Sequence, residues 1–363
     1  MSRTITVHYE GTPCYDITLQ RDFSLLADKI IALGYKKEQK LCVITDSNVA
    51  ALYLDEVMTE LQKCSDTVIS HVFPAGEEHK NVATIETIYE TLIQAKFDRK
   101  DLLIALGGGV TGDMCGFAAA TYLRGIDFIQ LPTTLLSQVD SSIGGKTGVD
   151  FKQYKNMVGA FYMPKLVYMN LQTLYSLPQE HFDAGMGEIL KHGLIKDASY
   201  FQWMIAHKEG ILAKDIDTLE EMICKSRNIK REVVENDPKE KGERALLNFG
   251  HTIGHAIEKL SDFQLIHGYC VSIGVAAASY LSALRGHISV DDRETICEVL
   301  KSFHLPVKTA VNDANEVLLT TKLDKKMESG KVKFILLQAP GNAFIDKSIT
   351  DEELLEAISF IAE

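Results

Sequence analysis

No two cysteines in this chain are spaced Cys-x-x-Cys; the seven, at positions 14, 42, 64, 115, 224, 270 and 297, are odd in number and scattered. That distribution argues against a disulfide framework and against a thiolate zinc site. Cys42 and Cys115 stand in apolar runs and read as small buried hydrophobes. No apolar run approaches the length of a membrane span. The N-terminal MSRTITVHYE lacks the basic-then-apolar layout of a secretory signal, so a reduced, cytoplasmic location is expected. Positive charge is also short: 38 Lys+Arg stand against 50 Asp+Glu, a net −12 at pH 7. Repulsion of that sign disfavours nucleic acid and anionic membranes as partners. An anionic substrate would need lysines and arginines gathered locally against the global sign. The sequence contains no internal repeat and no low-complexity tract.

What is present is ordinary globular composition, 46% hydrophobic over 363 residues, and that length favours two domains. Residues 3–9 and 15–19 read as a strand pair, and 23–33 as a helix. A strand at 40–45 is followed by a helix at 49–63, a strand at 67–73 and a helix at 81–95. Strands 102–106 and 127–131 flank a helix of small residues. Strands alternating with helices of this length predict βαβ units and a parallel sheet. The pattern changes near Ser176-Leu-Pro-Gln179, which reads as a helix start: a hydroxyl cap, an early proline, then Gln. Helical patterns follow at 179–195, 199–213, 215–235, 248–260, 267–285, 289–303 and 350–361, interrupted by a short β run at 332–337. The expected division is an α/β domain over 1–177 and a mainly helical one over 178–363.

Leu106-Gly107-Gly108-Gly109-Val110-Thr111-Gly112-Asp113 follows an apolar strand and opens a helix. Gly107, Gly109 and Gly112 satisfy G-x-G-x-x-G in the strand–turn–helix context that lets a pyrophosphate approach backbone N–H groups. The bland alternative is a tight structural turn. An acidic residue at the end of the next strand is missing, but the earlier strand ends at Asp46-Ser-Asn48, which offers a ribose contact. The helix carries no charge between Asp113 and Arg124 and is expected to be buried; Arg124 either caps its C-terminus or serves a substrate or partner. Residues 131–156 are rich in hydroxyls and glycine, with Asp140, Lys146, Lys155 and Asn156. They read either as a solvated loop or as a ligand-binding segment beyond a parallel strand's carboxyl end. Gly144-Gly-Lys146-Thr resembles the tail of a P-loop but lacks its first glycine and its strand, which rules against a nucleotide triphosphatase.

His251 and His255 lie four apart in Asn248-Phe-Gly-His251-Thr-Ile-Gly-His255-Ala-Ile-Glu258. Phe249, Ile253, Ala256, Ile257 and Leu260 form an apolar stripe, with His251, His255 and Glu258 on the opposite side. His267 opens the next apolar helix, and Glu188 and Lys191 lie one turn apart upstream. Imidazole and carboxylate together suit a divalent metal with an open position, although such a His pair is also common on a plain polar face. The H-E-x-x-H protease motif is absent. Residue types alone leave the choice of three ligands open.

An ordered series of motifs along most of the chain resembles the 3-dehydroquinate synthase family. It comprises Pro74-Ala-Gly-Glu77-Glu-His-Lys80, the Gly107–Asp113 loop, Gln130 to Lys146, Lys155-Asn156, Gly187-Glu188, Arg244-Ala-Leu-Leu-Asn248-Phe-Gly-His251-Thr and His267-Gly. The resemblance implies an α/β Rossmann-like N-terminal domain plus a mainly α-helical C-terminal domain, with the active site between them. It implies NAD contacts from Asp46, Asn48, Glu77, Lys80, Gly109, Val110, Asp113, Thr133, Thr134, Lys146, Lys155 and Thr173. A divalent metal, zinc or cobalt, would be held by Glu188, His251 and His267. Asp140, Lys146, Asn156, Lys191, Lys230, Arg244, Asn248, His255 and one of Lys325 and Lys326 would surround the substrate. Of these, Lys191, His255, Asp140 and Asn248 would be catalytic. Arg124 would reach the neighbouring subunit's site in a homodimer.

The implied substrate is 3-deoxy-D-arabino-heptulosonate 7-phosphate, a phosphorylated sugar acid, and Lys146, Lys155, Lys230, Arg244 and Lys325 would be its basic patch. A guanidinium such as Arg244 suits bidentate capture of the carboxylate. The implied chemistry is transient oxidation by NAD, phosphate elimination, re-reduction, ring opening and intramolecular aldol closure to 3-dehydroquinate, a step of the shikimate pathway to aromatic amino acids. Two rivals share parts of this pattern: another NAD- and metal-dependent sugar phosphate cyclase, and a metal-dependent polyol dehydrogenase. Arg244, Lys230 and Asn248 favour the carboxylate-bearing substrate over the first, and the second would accumulate NADH.

Overall fold

The structure, a computed structural model, describes residues 3–152, 154–240, 242–261, 264–322, 327–328 and 331–363. The chain divides into two compact units, Met1–Leu177 and Pro178–Glu363.

The first unit is built on a seven-stranded sheet. Its strands are β1 (Arg3–Tyr9), β2 (Thr12–Gln20), β3 (Leu41–Asp46), β4 (Val68–Phe73), β5 (Leu102–Gly107) and β6 (Asp127–Pro132). After the hairpin strands β7 (Lys146–Phe151) and β8 (Tyr154–Phe161) comes the last of the seven, β9 (Leu166–Asn170). The order is β1-β2-β9-β6-β5-β3-β4, antiparallel between β1 and β2 and parallel elsewhere. The central strands β3, β5 and β6 are mainly apolar because both faces are covered. Cys42, Ile44, Leu103 and Ala105 pack on one side with Met114, Ala118 and Phe128. Leu41, Val43, Leu102 and Ile104 pack on the other with Leu26, Val57 and Ile129. The chain leaves β3 toward β4 at the sheet edge and leaves β5 in the opposite direction, toward β6. The carboxyl ends of β3 and β5 therefore flank a topological switch point, where open α/β sheets bind ligands.

The second unit is mainly helical. Its principal helices are Gln179–Lys196, Ile216–Asn236, His251–Leu260, His267–Leu284, Val290–Ser302 and Asp351–Ile361, with an antiparallel hairpin of Phe334–Ala339 and Asn342–Asp346. Helices Gln179–Lys196 and His267–Leu284 meet backbone to backbone. A methyl group on Gly268 would stand 1.9 Å from the Ala184 carbonyl oxygen, and one on Gly187 would stand 2.7 Å from that of Gly268. Helix His251–Leu260 meets the same partner as closely, since a methyl on Gly274 would lie 1.8 Å from the Gly250 carbonyl oxygen.

Several local expectations are corrected by the fold. Part of the polar stretch 131–156 is an ordered hairpin, β7–β8, whose Val149 is buried. Strand β9, helix Ala314–Lys322 and strand Asn342–Asp346 have no counterpart in the sequence pattern as read. The stretch 199–213 is two helices, Ala198–Ala206 and Lys208–Leu212. Ser176 does not cap the next helix, whose N-cap is Pro178; its hydroxyl donates to the Thr173 carbonyl instead. The apolar stripe after His251 stops at Ile257, because Leu260 is 39% exposed. The opposite face is not solvated either: His251 and Glu258 are buried.

The backbone contact at Gly268 leaves no room for a side chain. Gly268→Ala should destabilise the second unit by about 3 kcal/mol in chemical denaturation, the range seen when a packed core is overfilled. A loss below about 1 kcal/mol would show that the two helices part easily.

Candidate active site

In the first unit, the residues around the switch point are tied to one another. Asp46, the last residue of β3, caps the helix that follows by accepting from the N–H groups of Asn48 (3.0 Å) and Val49 (3.1 Å). Its other carboxylate oxygen accepts from the Thr111 hydroxyl at 3.2 Å, which joins the end of β3 to the glycine loop after β5. Helix Gly109–Thr121 starts behind Gly108 with no side-chain cap on its first N–H groups, the kind of helix start that suits an anion. The glycines serve space here, since none of Gly107, Gly108, Gly109 and Gly112 has a positive φ. A methyl on Gly107 would stand 2.4 Å from the Thr111 hydroxyl, and one on Gly109 would stand 3.1 Å from that of Ser141.

A second network runs from the same helix to the hairpin. Lys80 is buried and donates to Asp113 and to Asn156, both at 2.7 Å, with Glu77 at 3.9 Å. Lys155 lies 3.8 Å from Glu77. Burial works to lower the Lys80 pKa, but Asp113 and Glu77 overcome it and hold the ammonium above its ordinary value. Asp140, in the turn Ser137–Ser141, adds to the negative field at Asp113. The Thr133 N–H donates to the Gly107 carbonyl at 2.9 Å. Thr134 and Ser137 bond side chain to side chain at 2.9 Å, and Thr173 accepts from Gln138 at 3.3 Å. Val110 and Asn48 lie at the helix starts beside these groups, and Lys146 is exposed at the start of β7. Arg124 stands apart. It lies beyond the end of the buried helix, exposed, with φ of 66°, and its guanidinium makes no hydrogen bond or ion pair with the described residues.

In the second unit three helices bring their donors together. Glu188 comes from helix Gln179–Lys196, His251 and His255 from helix His251–Leu260, and His267 from helix His267–Leu284. Oε1 of Glu188 lies 3.4 Å from Nε2 of His251 and 3.6 Å from Nε2 of His267. Glu188 is 1% exposed, and among the described residues that oxygen accepts no hydrogen bond. A buried carboxylate oxygen in that condition calls for a cation. Its second oxygen pairs with Lys191, whose ammonium also donates to the Leu247 carbonyl at 2.7 Å. Burial works to raise the Glu188 pKa, yet Lys191 and His267 hold it well below the carboxylate range. Burial likewise works to lower His267, while Glu188 and Glu258 push it up to about 10. The carboxylates thus create a demand for positive charge at one point. His255 is also within reach, because donor atoms of His251, His255 and His267 lie within 4.8 Å of one another. One carboxylate oxygen and imidazole nitrogens form a donor set suited to zinc or cobalt. The set therefore fits a divalent ion, with His255 as the alternative third ligand.

Lys230 and Arg244 are buried cations in the same unit. Arg244 donates to the Pro238 carbonyl at 2.8 Å, and Asn248 donates to Glu240 at 2.9 Å. Lys325 and Lys326 lie outside the described residues. One polar contact was not foreseen as such. Glu258, grouped in the sequence with the polar side of its helix, is buried with Oε2 at 3.3 Å from Nδ1 of His267. An acidic residue two turns beyond His251 inside an apolar stretch was the available signal.

Comparison with known proteins agrees along the chain. Residues 70–184 match the 3-dehydroquinate synthase N-terminal family model and residues 185–327 match the C-terminal one. The 3-dehydroquinate synthase of Ruminiclostridium cellulolyticum is 42% identical over 344 residues, 95% of each chain. That of Pelobacter propionicus is 44% identical over 317 residues, 87% of this chain and 88% of its own. Among solved structures, a 2-epi-5-epi-valiolone synthase from Streptomyces hygroscopicus subsp. jinggangensis, with NAD+ and Zn2+ bound, superimposes with a TM-score of 0.88. It is 26% identical, with 96% of each chain covered.

Removing Lys80 leaves Asp113 without its partner in a largely buried place. Lys80→Met should lower stability by about 3 kcal/mol, the cost of breaking a buried pair from one side. Urea denaturation of the ligand-free protein measures this, and an unchanged midpoint would mean that Asp113 is solvated.

Proposed function

The chain belongs to the 3-dehydroquinate synthase family, and on that premise we propose how its residues divide the family's reaction. It is an enzyme, a carbon–oxygen lyase that converts 3-deoxy-D-arabino-heptulosonate 7-phosphate to 3-dehydroquinate and phosphate with NAD and a divalent metal. Oxidation at one alcohol, loss of phosphate, re-reduction, ring opening and aldol closure return the cofactor to its starting state, so the net change is elimination. When bound, NAD supplies a reversible two-electron acceptor and the divalent ion a Lewis acid.

Glu188, His251 and His267 hold the ion. The observation that carries this assignment is the Glu188 oxygen without a hydrogen bond, 3.4 and 3.6 Å from two imidazole nitrogens. His255 is less buried than His251 and is left for substrate. With Lys191 it handles protons: Lys191 carries one at Nζ, held there by Glu188 and the Leu247 carbonyl. Asp46 and Asn48 take the ribose side of the dinucleotide, and the N–H groups after Gly108 take its pyrophosphate. Glu77, Lys80, Gly109, Val110, Asp113, Thr133, Thr134, Lys146, Lys155 and Thr173 complete that set.

The substrate carries a carboxylate and a phosphate, whereas the chain carries a net −12. Buried Lys230 and Arg244 supply positive charge where desolvation strengthens it, with Arg244 matched to the carboxylate. Lys146, Asn156, Asp140 and Asn248 belong to the same substrate set. A homodimer completed by the exposed Arg124, and a cytoplasmic, reducing location suited to seven free cysteines, are part of the same proposal. No helix among the described residues is long and apolar enough to cross a membrane.

Phosphate release from the heptulosonate phosphate tests the activity. Release should require NAD, stop with chelator, and proceed with no net NADH; accumulation of NADH would mark a dehydrogenase instead. Metal content tests the ligands. Glu188→Ala should purify without stoichiometric metal, whereas His255→Ala should keep it and lose turnover about 100-fold or more, as removal of a general acid–base group does. The reverse pattern would exchange the two residues' roles.

A further inference from the structure

We propose that Glu258 is a positioning residue for the metal, acting through His267. The inference rests on the Glu188, His251 and His267 set and adds a residue behind it. Oε2 of Glu258 lies 3.3 Å from Nδ1 of His267, whose Nε2 faces Glu188 at 3.6 Å. With an ion bound at Nε2, Nδ1–H would donate to Glu258, which would hold the ring in the tautomer that leaves Nε2 free for the ion. His251 is treated alike but by a neutral partner, with its Nδ1 3.2 Å from the Phe249 carbonyl oxygen.

The carboxylate is an unusual choice for its place. Glu258 is 4% exposed, on a helix whose Ile253, Ala256 and Ile257 are core. A buried acid there costs free energy unless something positive answers it. With a divalent ion, the Glu188 carboxylate, its Lys191 ammonium partner and neutral imidazoles, the site would be left with a positive excess, and Glu258 answers part of it. The anion also makes the imidazole a stronger donor to the ion. Helix His251–Leu260 thereby contributes twice, with a ligand at its first turn and, two turns later, the group that orients the ligand on the neighbouring helix.

Glu258→Gln keeps the shape and removes the charge. Affinity of the purified protein for Zn2+ and Co2+, measured by competition with a chromophoric chelator, should fall 10- to 100-fold, as for other groups behind a metal ligand. Melting of the chelated protein should change little, and the visible bands of the Co2+ form should shift. Affinity within twofold of the unmodified protein would overturn the proposal. So would a weaker affinity matched by an equal loss of stability without metal, or a chain that does not fold, since the amide fills the same space. His251→Ala separates this from the ligand assignment. If His251→Ala keeps full metal, the ligand set fails and the positioning role with it. If it loses metal while Glu258→Gln does not, only the positioning role falls.

Discussion

Glu188 is the constraint around which the second unit is organised. A carboxylate that is 1% exposed must be answered by positive charge or hydrogen bonds, and only one of its oxygens is, by Lys191. The other faces two imidazoles. Holding three side chains from three helices at such distances requires that the helices themselves do not drift. The chain achieves this with glycine beside each donor: Gly187 precedes Glu188, Gly250 precedes His251 and Gly268 follows His267. At all three the backbone of one helix touches the next, with the space for a methyl already occupied. The cost is conformational entropy in the unfolded chain. The gain is a donor set whose spacing is set by main-chain contact, which is far stiffer than side-chain packing.

On the proposed assignment of the dinucleotide to this part of the chain, the first unit solves a different problem, that of binding an anion on an acidic chain. It uses backbone N–H groups at an uncapped helix start and a buried lysine, and both are independent of net charge. Lys80 is where these themes meet. Paired with Asp113 of the glycine-loop helix and with Asn156 of the β8 strand, it fastens the loop to the hairpin through two part-buried hydrogen bonds. Thr111 does the same between the loop and Asp46. Groups expected to touch a dinucleotide are thus cross-linked before one arrives, a form of preorganisation that lowers the ordering cost of binding.

Much of this was legible in order along the chain. Alternating apolar runs announced the parallel strands, and the change of period near residue 176 announced the helical half. The glycine loop and the paired histidines stood out from their spacing. Where reading failed, it failed for physical reasons. Strand β9 is short, and its neighbours in the sheet, β2 and β6, are remote in sequence. The β7–β8 hairpin looks like a solvated loop because much of it is in fact exposed, Lys146, Lys152, Tyr154 and Asn156 among its polar residues. Leu260 carries on a helical stripe beyond the point where there is a core to meet.

Sequence by itself determined which residue types were available and their local period, because helix and strand geometry repeat every few residues and leave a trace at that range. It also carried the ordered motifs by which the family is recognised. Only the tertiary structure decided which remote residues became neighbours. That Asp46 of β3 bonds to the loop after β5, that Glu188 meets His251 and His267, and that Glu258 stands behind His267 are consequences of strand order and helix packing. Those depend on long-range burial and close backbone contact, which no local periodicity encodes.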